Sequence, residues 1–324
     1  MSGRYFGRKL VQATVTILGI VVLNFLLFRA MPGSPERILF RNPLMSQEQR
    51  EQIRERWGLD QPLIPNQLVA YVQATLTGDL GTSFKFNNKP VSEVIGDRVW
   101  PTLILFGLAE FVAIFVGLAL GAYSGWRKGG LTDQVGNGIS LVLYAMPYFL
   151  IGMILLVIFA TGLGWFPTSG MFTIGKSFPS FIDQLLDFGW HLVLPLTAAA
   201  VGLIGQYSIL MRASIVDTLS EDYVTTARAK GLKDGRVLRS HAVPNALLPS
   251  VTLIAINLGY VVGGAITLEQ VFNWPGLGTL TVLAVNSRDY PVLQGVFLIL
   301  AISVVLANFL ADIVYGYLDP RVRV

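Results

Sequence analysis

The chain has 324 residues, of which 53% are hydrophobic and only 14% charged, and its mean hydropathy is +0.58. A soluble globular domain carries about 25% charged residues, so the composition argues against an ordinary soluble enzyme and for a polytopic membrane protein. The 24 Lys and Arg against 20 Asp and Glu leave a formal charge of +4, too small an excess to imply nucleic acid. Absence of Cys excludes a disulfide scaffold and thiol catalysis, and two His leave little for a transition-metal site.

The first apolar run, 10–30, follows Arg4, Arg8 and Lys9. It is longer than a signal-peptide core and lacks a clear small-x-small cleavage site, so it reads as a retained membrane helix, with a cleaved signal as the alternative. The segment 32–98 is polar and partly folded. Ser46 and Gln49 form a candidate capping box for a helix stopped by Gly58, and Pro62, Pro65 and Gly78-Asp79-Leu80-Gly81 mark turns. It is either a cap over a helix bundle or a docking surface for an external partner.

Further spans are expected at 101–124, 135–160, 190–211, 246–268 and 291–316, the third of these interrupted by Pro195 and several Gly. Each has roughly the 20 residues that cross about 30 Å of hydrocarbon. The prediction is therefore an all-α protein of six transmembrane helices. Basic residues gather at the N-terminus, in 125–134 (Arg127, Lys128), in 212–245 and at Arg321 and Arg323, which places both termini inside. Residues 1–98 then hold one helix and the external region, and 99–324 a five-helix core. Glu110 and Asp312 are charges within spans, and Gln206, Tyr207, Asn257 and Asn308 are polar candidates; such groups line a route or bind helices together. Gly117 and Gly121, Gly202 and Gly205, and Gly263-Gly264 suit close helix contact.

The 212–245 connection is the most informative stretch. Ser220 is expected to cap a helix of about ten residues, with Glu221 and Asp222 in its first turn, Arg228 and Lys230 in its last and Gly231 at its left-handed exit. Tyr223, Thr226, Ala227 and Lys230 share one face. Such a short helix needs a docking surface; Ala227 and Ala229 permit close approach and Tyr223 offers an aromatic anchor. Resting on lipid headgroups is the alternative. Pro244 and Pro249 suit a bend and a first turn leading into the next span.

With these residues assembled, the chain resembles the ATP-binding-cassette importer permeases of the dipeptide/oligopeptide/nickel group, in the subunit with the larger external region. The resemblance runs through Tyr223 to Leu232, through Gly58-Leu59-Asp60-Gln61-Pro62-Leu63, through Gly78 to Ser83, and through Glu269 to Gly278. Ala227, Gly231, Val243 and Pro244 occupy the family's cytoplasmic signature, with Thr225-Thr226-Ala227 in place of the generic Glu-Ala-Ala. The resemblance implies the type I importer permease fold and a coupling helix near 220–231. It implies an ATPase contact through Tyr223, Thr226, Ala227, Arg228, Ala229, Lys230, Gly231 and Pro244. It further implies two separate ATPase subunits that hold ATP and Mg, a homologous permease forming a heterodimer, an external solute-binding protein, and a bacterial or archaeal inner membrane. Short peptides are the implied cargo, with nickel, glutathione or another small solute as alternatives. The chain itself has no phosphate loop, and no catalytic residue, metal site or bound cofactor is expected in it. A secondary transporter would need an ion-coupling site or inverted repeats, and an intramembrane enzyme convergent catalytic groups; neither pattern is evident.

Overall fold

A computed structural model describes residues 3–29, 46–48, 51, 61–264 and 266–318. Among them the helices are α1 (Gly3–Arg29), α2 (Leu68–Leu76), α3 (Val91–Trp126), α4 (Leu131–Ala145), α5 (Tyr148–Leu155), α6 (Phe181–Thr218), α7 (Asp222–Ala229), α8 (Asp234–Val237), α9 (Val243–Val261), α10 (Ile266–Val271), α11 (Leu277–Ser287) and α12 (Tyr290–Leu318). π-helical turns at Leu156–Gly162 and Leu238–Ala242 prolong α5 and join α8 to α9. No strand forms among the described residues beyond one isolated bridge between Thr82 and Pro90. Gln49 and Gly58, which defined the expected external helix, lie outside the described residues, as do Leu59, Asp60, Arg321 and Arg323. The turn expected at Gly78–Gly81 is present, with φ of 78° and 84° at its two glycines.

Among the described residues five helices are long and apolar enough to cross a membrane, and α4 with α5, taken together as one span bent by 97°, makes a sixth. The six expected spans are thus present, with corrected boundaries. The helix expected at 101–124 begins ten residues earlier, because Val91, Val94 and Ile95 are themselves buried. The one expected at 190–211 runs from Phe181 to Thr218, so Arg212 belongs to a helix and not to a loop. The continuous helix expected over 135–160 is broken. Pro147 lacks an N–H and holds Met146 extended at φ −79°, ψ 127°. The fifth span runs over Asp234–Val261 instead of 246–268. It stops before Gly264, whose φ of +56° is left-handed, and α10 follows as a separate helix. Hydropathy stays high through that stop, which is why composition alone misplaces it.

The chain divides into two compact units, one of Met1–Pro101 with Gly276–Val324 and one of Thr102–Pro275. In the first, α1 lies along α12. Lys9 Nζ meets Asp312 at 2.8 Å, the Tyr5 hydroxyl donates to the Asp312 carbonyl, and Asn24 donates to the Gln294 carbonyl. Phe25, Tyr71 and Leu298 form its apolar centre. Buried Asp289 accepts from Ser83 Oγ at 2.5 Å and Lys85 N at 3.0 Å, tying the segment after α2 to the start of α12.

In the second unit α6 is the central element. Of its most apolar window 56% is buried, against 17% for α1 and for α12. Its neighbours approach through small residues, as expected for packing without a hydrophobic driving force between helices. A Cβ on Gly117 would stand 2.6 Å from Tyr207 Cβ, one on Gly121 would meet the Ser208 carbonyl and Met211 Cβ, and one on Gly205 would stand 2.6 Å from the Ser140 carbonyl. The expectation of close helix contact at these glycines is met.

Candidate functional site

Two features carry functional interest, a polar cluster between helices and the α7 segment. The cluster starts from Glu110, in the middle of α3, with only 2% of its surface exposed. Its carboxylate accepts a short hydrogen bond from the Tyr207 hydroxyl of α6. Asn257 of α9 donates to the Tyr207 oxygen at 3.1 Å and lies 3.4 Å from Gln206 Oε1. Three helices therefore contribute to one network, and Glu110, Gln206 and Asn257, separated by as many as 147 residues in sequence, meet in it. These residues border a cleft of about 330 Å³, lined also by Phe106, Tyr144, Tyr148 and Tyr260. Asn308 belongs to the other unit, where it borders a smaller cleft with Lys9, Gln12 and Asp312.

A second buried glutamate, Glu269 of α10, accepts from Thr102 Oγ1 at 2.7 Å and is fully enclosed. The Trp274 amide returns to the Glu269 carbonyl at 2.8 Å, and the Trp274 ring is buried with Leu105 and Leu192. The Glu269–Trp274 part of the sequence pattern therefore builds a closed turn with Glu269, Phe272 and Trp274 buried and Gln270 and Asn273 exposed.

The α7 segment is seated on its own chain. Val224 and Ala227 are buried, and pack with Val237, Trp126, Leu219 and Leu232. The Arg228 guanidinium lies 5.2 Å from the Trp126 ring centre and 3.7 Å from Asp234. The sequence expectation is corrected here in two respects. Ser220 does not cap the helix: its hydroxyl donates to the Asp217 carbonyl, and α7 has eight residues, starting at Asp222. Ala227 faces inward and its small size serves this intramolecular contact, while Tyr223, Thr226, Arg228, Ala229 and Lys230 remain exposed. Gly231 does form the left-handed exit, at φ +76°, with its amide on the Arg228 carbonyl and the Leu232 amide on the Ala227 carbonyl. Pro244 is exposed in the first turn of α9, directly after the π-helical turn. Val224 was legible as the i−3 partner of Ala227 in an otherwise polar stretch; Trp126 and Val237 carry no local signal for this role.

Two ion pairs brace the same unit. Arg212 of α6 grips Asp133 of α4 with Nε at 2.5 Å and Nη2 at 2.8 Å, and Asp133 also accepts from Ser124 Oγ and Gly129 N. A bidentate, charge-assisted contact of this kind fixes orientation as well as distance. Asp187 holds the 163–180 connection, accepting from Thr173 N, Thr173 Oγ1 and Lys176 Nζ. No group of three His, Asp or Glu suited to a metal exists among the described residues.

This arrangement of long apolar helices, a bent pair and a seated polar helix defines a polytopic membrane protein. Residues 117–324 match the family described as binding-protein-dependent transport system inner membrane component, and residues 3–106 match that family's N-terminal model. The chain belongs to this family. It is 36% identical to the oligopeptide transport system permease protein AppB of Bacillus subtilis over 98% of this chain and 99% of that one. It is also 36% identical to the glutathione transport system permease protein GsiC of Pectobacterium atrosepticum, over 98% of each. A solved structure of the inward-facing MetNI methionine ABC transporter aligns with a TM-score of 0.55 at 17% identity, over 70% of this chain and 96% of that one. That likeness establishes the type I importer permease fold.

Proposed function

We propose that the chain is the transmembrane subunit of an ATP-driven importer for dipeptides or short oligopeptides, forming half of a translocation route. The likeness to an oligopeptide permease along nearly the whole chain carries this reading. Separate ATPase subunits hold ATP and Mg and supply the energy; this chain catalyses nothing by itself and holds no cofactor. A homologous permease completes a heterodimer, and an external binding protein delivers the cargo. The protein resides in the cytoplasmic membrane with both termini inside.

The geometry of α7 supports a coupling role. Its exposed face offers Tyr223, Thr226, Ala229 and Lys230 to an ATPase groove, and its buried face is fastened to Trp126 at the end of α3. A push on α7 is thus delivered to α3, a rigid rod that also carries Glu110. At 1.5 Å per residue the sixteen residues from Glu110 to Trp126 span about 24 Å. The glycines along α3 press it against α6, so displacement passes to both walls of the cleft.

The glutathione-permease relative favours a second cargo, a modified tripeptide. Proteoliposomes bearing the full complex and its binding protein separate the two readings. ATP-dependent uptake of trialanine in preference to glutathione is expected. Preference for glutathione establishes the second reading, and ion-gradient uptake by this chain alone overturns both.

A further inference from the structure

Glu110 poses a question that packing does not answer. A carboxylate inside a membrane span is costly unless a cation or several donors face it. The eleven residues lining the cleft beside it include no Lys, Arg or His. The groups that bond it are neutral, the Tyr207 hydroxyl and the Asn257 amide, and Gln206 is reached through Asn257. The rest of the lining is shared between the aromatic Phe106, Tyr144, Tyr148 and Tyr260 and small or aliphatic residues. A single negative group, amide and hydroxyl oxygens, and several ring faces match an organic ammonium. Such a cation is satisfied by one carboxylate, a few acceptors and aromatic surfaces. A hard metal ion would need six or more oxygen ligands, which this cleft does not assemble. The volume, about 330 Å³, suits the leading end of a small molecule.

We infer that this cleft is a binding station for the protonated amino terminus of the transported peptide, with Glu110 as counter-ion and Gln206 Oε1 as a further acceptor. The inference rests on the peptide-import reading and adds to it a recognition site inside the permease, separate from capture by the external protein. One consequence is polarity: the peptide would pass with its amino end held at this chain.

The test uses the purified complex of both permeases and the ATPases, without the external binding protein, and equilibrium dialysis with radiolabelled trialanine. Saturable binding is expected. Trialanine methyl ester, which keeps the amine, should compete at least tenfold better than N-acetyl-trialanine, which keeps the carboxylate. Glu110→Gln should weaken trialanine binding at least tenfold. Absence of saturable binding, equal competition by the two blocked peptides, or unchanged affinity in Glu110→Gln would overturn the inference. Should Glu110→Gln fail to assemble, the competitor pair on the unmodified complex decides alone. Trialanine uptake by proteoliposomes that include the binding protein is measured in parallel. Normal uptake without binding at the cleft defeats the station but leaves the import reading intact, whereas no ATP-driven uptake of either trialanine or glutathione defeats the import reading.

Discussion

Gly231 leaves α7 at φ +76°, and a Cβ there would meet nothing within 4 Å. Any penalty on substitution is therefore conformational, not steric. Gly231→Val should cost about 1–2 kcal/mol locally, whereas Gly231→Asn, which tolerates the left-handed region, should cost much less. Initial uptake rates are expected to fall several-fold in the first and stay near the unmodified level in the second, with membrane abundance measured alongside. Gly121 presents the opposite case. Its missing Cβ lies against the Ser208 carbonyl and 2.8 Å from Met211 Cβ, so Gly121→Ala must push α3 from α6 at about 1–3 kcal/mol. Gly138→Ala, with open space around it, is the control and should leave thermal stability in detergent unchanged or slightly raised. Both glycines are indistinguishable in composition; only the neighbouring helix separates them.

At the level of elements, α7 is a helix too short to stand alone that is held by Val224 and Ala227 against Trp126 and Val237. This seating predicts a division between its two faces. Ala227→Trp overfills the chain's own contact and should loosen the segment even without an ATPase, read as faster limited proteolysis between residues 219 and 242. Tyr223→Ala changes the exposed face and should leave proteolysis unaltered while lowering ATPase co-purification. Equal proteolysis of both variants would contradict the seating. The bend between α4 and α5, 97° in angle, follows local chemistry at Pro147. Leu268 and Phe272 close over the bare backbone of Gly152 in α5, a contact no window of sequence contains.

For the whole molecule, six spans and the distribution of basic residues predict that residue 47 lies outside and residues 129 and 220 inside. The Cys-free chain makes single-cysteine labelling clean. A membrane-impermeant maleimide should modify Gln47→Cys in intact cells, and Gly129→Cys or Ser220→Cys only after permeabilisation. External labelling at either of the latter two would reverse the orientation.

Composition and hydropathy period by themselves determined an all-helical chain with apolar spans of membrane-crossing length, and marked α7 as too polar to be one of them. They also singled out Glu110, Gln206 and Asn257, because a polar atom inside a span is costly and therefore conspicuous. The ends of the helices were less legible. Burial of Val91 and Ile95 extends α3 beyond its apolar run, and the backbone at Met146 and Gly264 breaks helices where hydropathy stays uniform. The inward turn of Ala227, its seat on Trp126, and the convergence of α3, α6 and α9 around one cleft were decided by tertiary packing alone. Small residues state that something comes close, but which surface arrives is set by chain regions far away in sequence.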